Sequence, residues 1–293
     1  MTEFLTDLAS LTMGGTVAVV VMALTARMSR ARYAARWRCW LWLLLCLRLM
    51  VPVSIEFPEH TEIKAPIQIT APSDIVIFEE NDPEPRPVPE PTQPTVPTTP
   101  APTPGVPTPP SVPAVAEITL YQIVFATWAA GTAAVLLWYL FAHWRFLGWL
   151  RRWGDPVLNT GTIRVFNELG DKLELNHRPE LLVCTGLKVP VLAGVFVPRL
   201  LLPEGEMGEN ALRYSILHEL THFKRRDIWL KTLALLVNAI HWFNPFMWYM
   251  TRLVERDAEL ACDEAALKLL PAEAHKAYGT TILDAVERLK AAK

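Results

Sequence analysis

Apolar and polar positions fall along this chain in long blocks. Three apolar runs stand in the first half: LTMGGTVAVVVMALTA (11–26), CWLWLLLCLRLMVPVSI (39–55) and ITLYQIVFATWAAGTAAVLLWYLFA (118–142). Each reaches or approaches the roughly 20 residues that carry a helix across a bilayer, so the pattern predicts three transmembrane helices. The first run follows the acidic leader MTEFLTDLAS and shows no clear small-residue cleavage site, so it reads as a retained helix and not as a signal peptide. Arg48 interrupts the second run and needs a partner or a snorkelling route; a helix-helix contact through its guanidinium is expected.

Between the second and third runs the pattern collapses into PEPRPVPEPTQPTVPTTPAPTPGVPTPP (83–110). Proline fixes φ and lacks an amide donor, so this stretch favours extended polyproline II and builds no core. The preceding IQITAPSDIVIFEEND (67–82) has short β-like runs with little to bury, and reads as linker or as a small partner contact.

In the last third the period becomes helical. GENALRYSILHELTHFKRRD places apolar side chains at Leu212, Ile216, Leu217, Leu220 and Phe223, with acids before and bases near its end. A greasy run, IWLKTLALLVNAIHWFNPFMWYM (228–250), follows at once. Upstream, RPELLVCTGLKVPVLAGVFVPRLLLP (178–203) reads as short strands punctuated by Gly and Pro. Its Leu192–Val197 stretch is the expected edge strand, either a rail for substrate backbone or a cover for the helix.

Composition agrees with the blocks: 51% of the 293 residues are hydrophobic and eleven are Trp, which favours a membrane protein. Charge adds only local information. A net charge of −2 provides no field for nucleic acid, so direct nucleic-acid binding is not expected. RMSRARYAARWR (27–38) carries five Arg and HWRFLGWLRRWG (143–154) three, so both loops are expected inside the cell. The expected layout has residues 1–55 holding two spans, 56–117 an outside loop, 118–142 the third span and 143–293 a cytoplasmic domain. Cys39, Cys46, Cys184 and Cys262 form no CxxC pair or disulfide ladder; packing is the role expected of Cys39, Cys46 and Cys262.

HELTH (218–222) matches HExxH, which puts His218 and His222 on one helix face to share a Zn²⁺ ion, with Glu219 as general base. The pentapeptide alone is not decisive, and residues 225 and 228 are Arg and Ile, so no third histidine follows at short spacing. Glu259, in ERDAELACDEAA (255–266), is the expected third ligand, with Asp263 one turn on to orient a ligating histidine. If 228–250 crossed the membrane once, Glu259 would end about 30 Å from the histidines, far beyond a shared ion. The run must therefore be a hairpin turning at Asn244-Pro245, either dipping into the membrane on the three spans or forming a soluble core. Trp242, Trp248 and Tyr249 read as interfacial anchors, and His241 as a structural histidine beside the turn.

VPVLAGVFVPRLLLP, ILHELTHFKRRD, HWFNP and ELACDE, in this order, resemble the BlaR/MecR-type membrane metallopeptidases, antirepressors and signal transducers of bacteria. A more distant likeness is to the HtpX and CAAX-prenyl endopeptidases, whose Arg-x-x-Glu-x-x-Ala-Asp is met by Arg256 and Glu259 with Cys262-Asp263 at its end. The resemblance implies a mainly α membrane protein: three N-terminal transmembrane helices, then a cytoplasmic α+β metallopeptidase domain of the gluzincin type with a membrane-associated helical hairpin. It implies one Zn²⁺ held by His218, His222 and Glu259, with Glu219 as base and acid and Asp263 in support. It also implies a bacterial inner-membrane location and cleavage of a cytosolic repressor or of the chain itself, with homo-oligomers an open possibility. The outside loop has no SxxK element, so β-lactam sensing is not expected. Two other functions stay open: a non-proteolytic signal transducer or scaffold, and a housekeeping protease for damaged membrane proteins.

Overall fold

The computed structural model of the chain describes residues 2–28, 35–51, 119–205 and 207–291. Its elements are α1 (Thr2–Met28), α2 (Ala35–Met50), α3 (Leu120–Trp153), β1 (Gly154–Pro156), α4 (Thr160–Lys172), β2 (Glu180–Cys184), β3 (Val191–Ala193), β4 (Arg199–Pro203), α5 (Glu209–Arg225), α6 (Asp227–Ile240), α7 (Pro245–Leu267) and α8 (His275–Ala291). The protein is mostly helical with one small mixed sheet of order β1-β2-β4-β3, parallel between β2 and β4 and antiparallel at both edges.

Among the described residues two helices are long and apolar enough to cross a membrane, Glu3–Arg27 and Leu120–Trp153. Many of their apolar side chains face outward, Met13, Val17, Leu137 and Trp138 among them, whereas Leu8 and Val19 of α1 are buried. The expected second span is not shown among the described residues. Its helix α2 has 16 residues, starts at Ala35 and ends at Met50, short of a full crossing. Cys39, Trp42, Cys46 and Leu49 are buried in a cluster with α1, α6 and α7, so much of its apolar content serves helix packing. Residues 52–55 of that run and the proline-rich stretch lie outside the described residues. Among the described residues Arg48 bridges no helices; it sits in the last turn of α2 and donates to the Val51 carbonyl at 3.0 Å.

The apolar run at 228–250 is a hairpin, α6 and α7. Asn244 caps α7 by accepting from the Phe246 amide at 2.9 Å, and Pro245 occupies the first helical position, where its missing N–H costs nothing. The tip docks on the N-terminal helices. His241 Nδ1 lies 2.8 Å from Thr12 Oγ1, and Asn244 Nδ2 donates to Thr16 Oγ1 at 2.7 Å. Trp242, expected as an interfacial anchor, packs on Gly131 of α3, where a Cβ would fall 2.2 Å from the indole, and donates to the Trp128 carbonyl at 3.3 Å. Trp248 and Tyr249 stay partly exposed.

At its other end the hairpin is gripped by α2. Asp257, fully buried, accepts from Trp42 Nε1 at 2.9 Å and pairs with Arg38 at 3.3 Å; Glu264 accepts from the Ala35 amide at 3.1 Å. A second core joins α4, β4, α5 and α8 through Val165, Phe166, Leu200, Ile216, Leu217 and Tyr278. Helix α7 borders both cores, through Ala261 on one side and Ala266 on the other.

Candidate metal centre

Helix α5 carries HELTH, and its i, i+4 spacing puts both histidines on the face turned to α7. The helix ends at Arg226, whose left-handed conformation (φ +58°) is uncommon for a residue with a Cβ and breaks the chain sharply into α6. The break brings Asp227 back against the helix it has just left: its Oδ2 lies 2.8 Å from His222 Nδ1 and accepts from Arg225 Nε at 3.0 Å.

His218 and His222 are both buried, with rings in a T-shaped arrangement at 4.7 Å. Their Nε2 atoms are 3.2 Å apart, and Glu259 Oε2 of α7 lies 3.4 Å from the first and 3.3 Å from the second. The hairpin thus returns Glu259 to the histidines, as the zinc argument required. Asp263 Oδ1 is 3.2 Å from His218 Nδ1 and also accepts from the Tyr278 hydroxyl, which lies 2.8 Å from the same nitrogen.

These contacts fit a metal ion. An Nδ1–H donated to Asp227 on one ring and to Tyr278 and Asp263 on the other leaves each Nε2 lone pair pointing into the site. Tetrahedral bonds of about 2.0–2.1 Å give donor-donor edges of about 3.3–3.4 Å, close to all three separations seen. Cys262 offers a different third donor, since its Sγ belongs to a His218, His222, Cys262 group lying within 4.8 Å. That thiol is buried, donates to the His218 carbonyl at 3.3 Å and is 3.9 Å from Nδ1, a nitrogen already engaged; Glu259 is the better-placed donor.

Charge in the site follows from these pairs. Burial alone would lower the His222 imidazole, but Asp227, Cys262 and Glu259 raise it to about 11; His218 is raised in the same way, Asp263 contributing most against burial. Burial would raise the Glu259 carboxyl, yet the two histidines hold it below the usual carboxylate range. Glu219 is pushed up by burial, with His218 and His222 pulling the other way. Its Oε2 accepts from the Leu192 amide of β3 at 2.7 Å, which ties the edge strand to the HExxH helix.

The edge strand is shorter than expected. It ends at Ala193 because Gly194 turns the chain at φ +94°, where a Cβ would fall 2.2 Å from the Val197 carbonyl oxygen. Three contributors escaped the sequence reading. Tyr278 comes from α8 with no motif around it. Asp227 sits in the quoted KRRD but reaches His222 only through the break at Arg226. Lys231, on α6, donates to Glu259 Oε1 at 2.8 Å.

The profile of the family described as BlaR1 peptidase M56 matches residues 6–293. The regulatory protein BlaR1 of Bacillus licheniformis is 29% identical over 161 residues, 54% of this chain and 27% of the relative. The methicillin resistance mecR1 proteins of Staphylococcus aureus strain Mu50 and Staphylococcus epidermidis are each 33% identical over 97 residues, 32% of this chain and 17% of theirs. The match therefore spans about a quarter or less of these relatives.

Proposed function

We propose, from the premise that this chain belongs to the BlaR1 peptidase M56 family, that it is an integral-membrane zinc endopeptidase whose site faces the cytosol. The observation that carries this reading is the convergence of His218 Nε2, His222 Nε2 and Glu259 Oε2 at 3.2–3.4 Å, with both Nδ1 atoms already engaged. His218, His222 and Glu259 would hold the ion, and Asp263 would support His218. A zinc ion held there would supply Lewis acidity toward the scissile carbonyl and water.

The chain's own groups do the rest. Glu219 takes the proton of the attacking water and delivers it to the leaving amine. Its bond to the Leu192 amide holds it beside β3, an end strand of the sheet among the described residues, where an extended substrate backbone can add as a further strand. The outward apolar faces of α1 and α3, and the docking of the hairpin on α1 to α3, support membrane embedding. The Arg-rich inner ends of the helices support an N-terminus outside and a peptidase domain inside a bacterial cell. The substrate is a regulatory protein of the repressor kind, or the chain itself.

Glu219→Gln should keep the metal, measured as zinc per chain, and lose cleavage. Undiminished proteolysis by that variant sinks the mechanism. Stabilisation of one or two proteins in cells carrying it marks a regulatory protease, whereas stabilisation of many marks a housekeeping one.

A further inference from the structure

Glu259 is held from two directions by different partners. Its Oε2 faces the two histidines, whereas its Oε1 accepts from Lys231 Nζ at 2.8 Å, from the opposite arm of the hairpin. Both side chains are part-buried, 32% exposed for Lys231 and 47% for Glu259, so the pair is less screened than a fully exposed one. A carboxylate has two oxygens and can bind a metal through one or both. With Oε1 occupied by an ammonium, only Oε2 remains to face the histidines.

We infer that Lys231 is a positioning residue that makes Glu259 a one-oxygen ligand and so keeps a coordination position open for water and the scissile carbonyl. The inference rests on the zinc-site reading above. Two histidines and one carboxylate oxygen fill three positions of a tetrahedral ion, leaving the fourth for the reaction. A second carboxylate oxygen would crowd that fourth position and make the ion five-coordinate once water binds. The lysine thus acts through Glu259, and its ammonium matters as donor and as charge.

The test uses the full chain in lipid, loaded with Co²⁺ in place of zinc, as wild type, Lys231→Met and Lys231→Arg. Co²⁺ reports its coordination number directly, since four-coordinate sites absorb visible light more strongly than five-coordinate ones. Wild type should show the intense four-coordinate bands, and Lys231→Met weaker five-coordinate bands with cleavage lowered about tenfold, the lower end of what supporting residues of metal ligands contribute. Lys231→Arg, which keeps cation and donor, should restore both, and the metal-free unfolding midpoint should stay close to wild type in both variants. If wild type takes up no cobalt sensitive to His222→Ala, the zinc-site reading falls and this inference with it. If wild type takes up cobalt and the Lys231→Met spectrum matches it, only the assignment of Lys231 falls.

Discussion

On the sheet side of α7, the core joining α4, β4, α5 and α8 is built from Val165, Phe166, Leu200, Leu202, Ile216 and Leu217, with Tyr278 turning its hydroxyl to the site. On the hairpin side, the core joining α1, α2, α6 and α7 buries polar groups among its apolar ones: Asp257 with Arg38 and Trp42, His241 with Thr12, Asn244 with Thr16. The difference follows from what surrounds each. A sheet fixes its register through backbone bonds, and water-excluded side chains need only fill the space. Helices whose outer faces are themselves apolar gain little from burying one more apolar face. Their mutual orientation is set by close packing and by polar pairs that have one good partner.

Breaking the hairpin side at its most buried pair should have the largest effect. Asp257→Ala leaves Arg38 nearly buried without its carboxylate and should cost about 3–5 kcal/mol, read as a lowered unfolding midpoint in lipid, with hydrogen exchange rising first in α6 and α7. An unchanged midpoint would remove the polar grip from the account.

The two histidine supports give a finer comparison. Among the described residues His222 has Asp227 alone on its Nδ1, whereas His218 has both Tyr278 and Asp263. Asp227→Asn should weaken zinc binding toward the 100-fold end of the range for such partners, and Tyr278→Phe by about tenfold or less. Chelator competition measures both, and equal losses would contradict the asymmetry.

Protons sharpen the same contrast. In the metal-free site the His222 imidazole is raised to about 11, so it is charged at neutral pH, and metal uptake must displace that proton. By the same sign, its contribution to metal-free stability is full below about pH 6.5 and is lost as pH rises through about 11. Calorimetry in buffers of different ionisation heat should show proton release on zinc binding at pH 7 and tighter binding as pH rises. Asp227→Asn should reduce the release.

Smaller effects lie at the joints. Gly131→Ala drives a methyl into the Trp242 indole and should cost about 1–3 kcal/mol, with loss of contact between α3 and the hairpin tip. Arg226→Gly relieves a left-handed residue but loosens the unfolded chain, so its midpoint should move by under about 1 kcal/mol in either direction.

Local and periodic features were legible in the sequence. HExxH on a helix needs only a spacing of four, and the need for Glu259 to meet it forced a hairpin at Asn244-Pro245, where the chain does turn. The stretch at 39–55 is less readable, because an apolar run for lipid and one for helix packing look alike; the described α2 has 16 residues and its Trp42, Cys46 and Leu49 face protein. Tyr278 and Lys231 were not legible at all, since a single side chain brought in by tertiary packing leaves no period or motif. Asp227 was visible as a residue but not as a partner, because a continued helix would have carried it away from His222.

Helix α7 is one unbroken rod from Pro245 to Leu267, fastened near its start to α1 through Asn244 and Thr16, and carrying Glu259 farther along. A rod transmits displacement without loss. Sliding it by one residue moves Glu259 by about 1.5 Å, nearly half of each 3.3–3.4 Å edge it shares with the histidines. The candidate metal centre would therefore also be a gauge of helix registration, complete at one setting of α7 against α1 and α5 and incomplete one notch away.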